Sequence, residues 1–135
     1  MIHASEWWTI ETAGWAVDEA EECTAFLPCD TEEEAALLIT AFRKQEGTIT
    51  AEELWEMSGA ASPTFAVREQ AQCGAFGGYR TTYRSDDNLH WRVWWLAHDD
   101  LHLYVTFNCQ PSDAAKHDAV LDWMLSSLRV IPYAG

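Results

Sequence analysis

The sequence predicts an α+β fold: a single antiparallel β-sheet of about six strands flanked by helices, in one domain over residues 1–135. Three observations carry that expectation. Residues 89–110, LHWRVWWLAHDDLHLYVTFNCQ, hold two runs of β-branched and aromatic residues around Asp99-Asp100, which is a hairpin signal. Both faces of that hairpin are apolar, so it belongs inside a sheet with material on both sides. Thr50 and Glu53 make a capping box, and His117, Val120, Leu121, Met124, Leu125 and Leu128 form a second stripe of helical spacing.

The hairpin register follows from a turn centred on Asp99-Asp100. Trp94 then lies opposite Val105, Leu96 opposite Leu103 and Trp95 opposite Tyr104. Alternation puts Trp94, Leu96, Leu103, Val105 and Phe107 on one face. Trp91, Val93, Trp95, Ala97, Tyr104 and Thr106 share the other.

Before the hairpin, residues 6–11 read as an opening strand with Trp8 and Ile10 on one face and Trp7 and Thr9 on the other. Gly14 interrupts it, residues 15–17 continue or restart it, and residues 18–22 are an acidic turn. Residues 23–28 form a second strand, which Pro28 ends or places at an edge. Residues 35–44 fit two readings. Thr31 and Glu34 match a capping box with helical spacing of Ala35, Leu38, Ile39 and Phe42, yet LLITAF also suits a buried strand. The helix begun by Thr50 closes before Pro63. Strands follow at 65–73 and 79–84, separated by Gly74, Gly77 and Gly78, which mark a bend or a close backbone approach. The last helix covers 113–128, and residues 130–135 lie against the domain or fray.

Charge narrows the partners. The net charge is −14, and residues 1–56 hold 14 acids against 2 bases. Phosphate binding needs a basic footprint, so nucleic acid is not expected as a partner. An acidic surface favours a basic protein partner or serves solubility alone. No stretch approaches the ~20 apolar residues that span a bilayer, so no membrane insertion is expected. The start, MIHASEWW, lacks a secretory pattern, and a cytoplasmic location is the expectation. Cys23, Cys29, Cys73 and Cys109 contain no Cys-x-x-Cys pair and are expected as reduced structural thiols.

No residue set points to catalysis, a metal or a cofactor. Cys73 reads as a buried thiol rather than a nucleophile. His90, His98 and His102 lie near Asp99 and Asp100, but the register sends His98 and His102 to opposite faces, and a metal needs converging ligands. Arg80, Arg84 and Arg92 share a face with His90 and Trp94 if the turn at 86–88 has three residues, and pairing with nearby acids is the expected use. Glu32, Glu33 and Glu34 form an acidic run. Eight tryptophans, including Trp7-Trp8 and Trp94-Trp95, exceed the ordinary needs of a core this size, and indoles favour interfaces as well as cores. The candidate partner-binding residues are therefore Trp7, Trp8, Glu32, Glu33, Glu34, Trp95 and Tyr104.

Three segments resemble the Mog/PsbP-like domains: GWAVDEAEECTAFLPCD followed by AALLITAFRKQEGTITAEELWEM, then CGAFGGYRTTY, then WRVWWLAHDDLHLYVTFNCQ with the helix ending LDWMLSSLRV. Together they span nearly the whole chain. The resemblance implies an antiparallel sheet packed by helices as an α/β/α sandwich, and a strand over 35–44. Its relatives are mostly non-enzymatic, and the bacterial branch akin to DcrB and type VI secretion adaptor or immunity proteins is the nearest analogy. The expected function is a non-enzymatic protein-binding module. The alternative is a small-molecule or lipid-binding domain with a tryptophan-lined pocket.

Overall fold

The computed structural model describes residues 1–29 and 34–132. Ten strands and two α-helices lie among them: β1 (Ile2–Ala4), β2 (Trp8–Glu11), β3 (Ala16–Glu19), β4 (Thr24–Leu27), β5 (Ala36–Arg43), α1 (Ala51–Ala61), β6 (Arg68–Cys73), β7 (Phe76–Arg84), β8 (His90–His98), β9 (Leu101–Cys109), α2 (Asp118–Ser126) and β10 (Arg129–Val130). The fold is α+β. Seven strands form one antiparallel sheet in the order β3-β4-β5-β9-β8-β7-β6. The other three form a small sheet, β1-β2-β10.

The β8–β9 hairpin sits at the centre and has the expected register. Trp94 pairs with Val105, Trp95 with Tyr104 and Leu96 with Leu103 across a two-residue turn. Asp99 takes φ 52°, the left-handed conformation that such a turn requires of its first residue. The two faces divide as alternation dictates. Trp94, Leu96, Leu101, Leu103, Val105 and Phe107 enter the main core with Phe26, Leu37, Ile39 and Phe76. Val93 and Trp95 form a second core with Leu54 on the opposite face.

Each face has its own cover. The main core is closed by Trp8 and Ile10 of β2 and by Leu121, Met124, Leu125 and Leu128. Backbone bonds fasten this cover: Ala75 N donates to Leu128 O at 2.9 Å, and Ile131 N to Trp7 O at 2.8 Å. Gly74 is required there. Its φ is +62°, and a Cβ would lie 2.2 Å from the Leu128 carbonyl oxygen. On the opposite face, α1 packs over β7 and β8. The capping box starts this helix: Glu53 N donates to Thr50 Oγ1 at 3.1 Å and Thr50 N to Glu53 Oε1 at 3.2 Å. The helix is tied to the central turn, because Ile49 N donates to Asp99 O and Lys44 N to Asp100 O, each at 2.8 Å. Ser62 is extended before Pro63, which ends α1 as the proline rule requires.

Several expectations change. The single sheet of about six strands is in fact a seven-stranded sheet plus a separate three-stranded one. The opening strand joins the small sheet, because Ala13 (φ 52°) and Gly14 (φ 79°) turn the chain away before β3 begins. Its partners, β1 and β10, are three and two residues long, too short to show a period. Residues 18–22 are not all turn, since β3 runs to Glu19 and the reversal is closed by Ala20 N to Cys23 O at 2.9 Å. Pro28 ends β4 without making it an edge, because β3 lies outside it. Residues 35–44 are a strand. Residues 65–67 stay outside β6, and β7 starts three residues early, through Gly77 and Gly78. The final helix opens as two short 3-10 turns, at Pro111–Asp113 and Ala115–His117, with no side-chain cap, so its α-helical part is only Asp118–Ser126.

Truncating a buried aromatic costs about 3–5 kcal/mol, and Trp94 is 3% exposed with its whole ring in the main core. Trp94→Ala should lower the urea midpoint drastically or unfold the chain. Phe65→Ala, at a position 71% exposed, should leave the midpoint unchanged. Equal midpoints for wild type and Trp94→Ala would refute this arrangement.

Candidate binding face

The two faces of the large sheet are covered unequally. Opposite the main core, α1 packs chiefly over β7 and β8. Cross-strand register places Leu38, Thr40 and Phe42 of β5 on this same face, in rows with Thr106, Tyr104 and His102 of β9. Trp91 of β8 and Tyr83 of β7 continue the row through Asn108. Ala25 of β4 lies opposite Leu38 and extends the surface toward β3. The outcome is an aromatic surface, bounded by the helix and open over β5.

Beside the helix lies a shallow, open hollow of about 490 Å³ lined by Phe42, Arg43, Lys44, Ile49, Glu53, Met57, Trp95, His102 and Tyr104. Phe42 is 54% exposed and stacks on His102, with ring centres 5.9 Å apart and planes 19° apart. Trp95 is only 4% exposed and meets Tyr104 at 6.1 Å. The two cations at the hollow already hold acids: Arg43 Nη1 lies 2.6 Å from Asp100 Oδ1 and Lys44 Nζ 2.9 Å from Glu53 Oε1. His102 Nδ1 donates to Leu96 O at 2.8 Å, and burial holds the imidazole below its ordinary pKa. Burial likewise pushes up the phenol of Tyr83.

The sequence candidates divide between two faces. Trp95 and Tyr104 come together in the hollow. Trp8 is 2% exposed in the main core, where its indole packs 6.4 Å from Phe26. Trp7 is half-buried just before β2, under the Arg43 guanidinium at 4.9 Å. Glu34 is exposed, and Glu32 and Glu33 lie outside the described residues. Phe42, His102 and Met57 were not among the candidates. Strict alternation along β5 carries the signal for Phe42, but it is usable only once residues 35–44 are known to be a strand.

Other chemistry is dispersed. Among the described residues, no three or more His, Cys, Asp and Glu side chains converge as a metal site. His98 bonds Ala75 O at 3.0 Å on one face, while His102 occupies the other. Cys73 is buried, and loss of solvation pushes its thiol up to about 11, so it stays protonated at neutral pH. Arg80, Arg84, His90 and Arg92 do share a face, and pairing takes up Arg80 with Glu69 at 3.2 Å and Arg92 with Asp118. Near the small sheet, Ser5 Oγ donates to Glu19 Oε1 at 2.6 Å. His3 Nε2 lies 2.9 Å from Glu19 Oε2, at ion-pair distance but outside hydrogen-bond geometry. The carboxylate stands between the hydroxyl and the imidazole, so the Ser5 hydroxyl bonds Glu19 and not His3. Those bonds, led by the Ser5 hydroxyl, hold Glu19 below the usual carboxylate range.

His102 gives the face a pH signature. Its folded pKa is lowered, so the unfolded chain takes up the proton first as pH falls. Stability from this group is complete above the ordinary value of 6.5 and declines as pH drops below it. His90, lowered by burial and by Arg92 and Arg84, adds in the same direction. Urea midpoints between pH 7.5 and about 5 should fall for the wild type, and less steeply for His102→Gln. Equal slopes would show that His102 is not held neutral.

No protein-family model matches the chain, and no curated protein matches it. Among solved structures, it is similar to a protein from Bacteroides thetaiotaomicron, with a TM-score of 0.66 over 96% of this chain at 11% identity. The match covers 47% of that protein, so this chain spans about half its length. A likeness at that identity carries the α+β fold and nothing about activity.

Proposed function

We propose that this chain is a non-enzymatic protein-binding module whose partner sits on the open half of the large sheet, over β5 and β9. One observation carries the reading: Phe42 is 54% exposed at the edge of a surface that continues through Tyr104, Trp91 and Tyr83. A scattered exposed apolar residue needs no explanation, but a contiguous aromatic patch beside a polar rim marks an interaction site. Among the described residues, the His, Cys and carboxylate groups are dispersed, whereas acid–base or nucleophilic chemistry needs them to converge. The element order and the antiparallel sheet fit the Mog/PsbP-like resemblance, and the acidic chain fits an adaptor or immunity-like role in a bacterium. Both belong to this proposal.

A second reading has its own support. The hollow of about 490 Å³ falls within the size range of small-molecule sites, and Trp95, Tyr104 and Met57 would give it an apolar lining. A lipid or other small apolar ligand is the occupant under that reading.

The two readings separate in one experiment. Wild type and Phe42→Ser, matched in urea midpoint, are used to capture partners from native extract, and the purified chain is weighed by native mass spectrometry. The proposal expects a defined protein captured by wild type and lost with Phe42→Ser. A co-purifying small molecule with no Phe42-dependent protein would favour the second reading.

A further inference from the structure

We propose that β6, a free edge of the large sheet, pairs antiparallel with β6 of a second copy of this chain, about a two-fold axis at Gln70. The proposal is independent of the open face over β5 and adds a second interaction surface.

β6 ends the strand order of its sheet, so its outer side has no neighbouring strand. The two-residue turn after it makes Cys73 and Phe76 a hydrogen-bonded pair. Alternation then turns the backbone groups of Cys73, Ala71 and Glu69 toward β7. The N–H and C=O groups of Arg68, Gln70 and Gln72 therefore point outward along the edge. Among the described residues, no backbone bond outside the strand ladders engages them.

The two edges of the sheet differ. β3, at the other end, has four residues and carries Asp18 and Glu19. Short length and charge are common guards against edge-to-edge pairing. β6 has six residues in unbroken register with β7, and it contains no proline, lysine or bulge. Its two charges are engaged within the chain. The Arg68 guanidinium lies 3.4 Å from the centre of the Trp55 ring and donates to Trp55 O at 2.7 Å. Glu69 accepts from Arg80 at 3.2 Å. On a chain of net charge −14, this edge presents the exposed amides of Gln70 and Gln72.

The register selects a second copy as the occupant. Antiparallel pairing centred on Gln70 sets Gln70 opposite Gln70 and Arg68 opposite Gln72. These are the residues with outward groups, so each of their N–H and C=O groups in both copies finds a partner, in roughly six backbone bonds. A shift of two residues leaves the groups of Arg68 or of Gln72 unmatched. Like charges do not face each other, because Glu69 comes opposite Ala71. One step further, Val67 comes opposite Cys73 of the second copy. Val67 is 72% exposed in the single chain. Cys73 lies in the wall of a hollow of about 370 Å³, with Ala71, Asp122, Leu125 and Ser126. Each copy thus offers an apolar knob and a recess at matching places, as a two-fold interface requires. Pairing of two β3 edges would instead bring the carboxylates of Asp18 and Glu19 together.

One strand pair is a small interface, so the association belongs to the weak, transient class. Sedimentation equilibrium of the full chain between about 10 µM and about 1 mM measures it. The expected result is a monomer–dimer equilibrium that strengthens as ionic strength rises from about 0.01 M to about 0.15 M, because salt screens the repulsion between two acidic copies. Gln70→Lys should weaken it at least about threefold. That variant lowers the net negative charge, so repulsion between whole copies would predict the opposite sign. Gln70→Glu should weaken it as well. An equal mixture of the two variants should associate at least as tightly as wild type, since opposite charges then meet across the axis. Val67→Ser should also weaken association. Val17→Ser on β3 and Phe42→Ser on β5 should leave it unchanged within about twofold.

Four results overturn the proposal: a chain monomeric throughout that range, association that weakens with salt, no rescue on mixing the two Gln70 variants, or loss of association with Phe42→Ser. The last would place the self-contact on the open face, and the other three leave the protein-binding reading standing. A different protein held by wild type and lost with Val67→Ser, without self-association, would give this edge to another chain and overturn the proposal too.

Discussion

Pairing between β8 and β9 fixes everything built around it. The two-residue turn sets which of their side chains meet, with Asp99 taking the left-handed conformation in place of the usual glycine. A slip of one residue would carry Trp94, Leu96, Leu103, Val105 and Phe107 to the wrong face. Because both faces of this hairpin are apolar, the sheet needs a cover on each side. The chain supplies a full cover on one side, from β2, α2 and the residues after it. On the other it supplies a single helix of eleven residues.

That inequality is the source of the functional reading. α1 is positioned by the same turn, through Ile49 to Asp99 and Lys44 to Asp100, and its own buried residues are only Leu54 and Ser58. Such a short element packs chiefly over β7 and β8, and it leaves Phe42 of β5 54% exposed. Phe42, Tyr104, Trp91 and Tyr83 are left at a partly wet boundary, where an aromatic ring offers large contact area at low entropic cost. Phe42 stacks on His102, with ring planes 19° apart, so its ring has a packed partner on one side. Preorganised contacts of this kind lower the cost of association.

Legibility in the sequence tracked the strength of each period. The hairpin was readable in register because two nine-residue runs of β-branched and aromatic residues flank an obvious turn. The capping box at Thr50 and Glu53 was readable because two side chains must satisfy two named backbone groups. The small sheet was not, since β1 and β10 are too short to show alternation and their pairing is decided by tertiary contacts. Trp7 and Trp8 looked alike in sequence, yet β2 begins at Trp8 and buries its indole, while Trp7 stands before the strand, half-covered under Arg43. The open face was harder still. Its exposure depends on how far α1 reaches across the sheet, and no local pattern in β5 encodes that. The notion of an acidic, tryptophan-rich binding surface came from composition, and the structure relocates its aromatic part from Trp7-Trp8 to the neighbourhood of Tyr104.

The central claim is that the α1 side of the sheet is covered over β7 and β8 and open over β5. Hydroxyl-radical footprinting of the isolated chain at neutral pH measures this by the oxidation rate of individual side chains. The account predicts that Phe42, 54% exposed, oxidises at a rate approaching that of Phe65, 71% exposed, while Phe107, fully buried in the main core, remains protected. Protection of Phe42 equal to that of Phe107 would mean that the chain closes its own face, and would contradict the account.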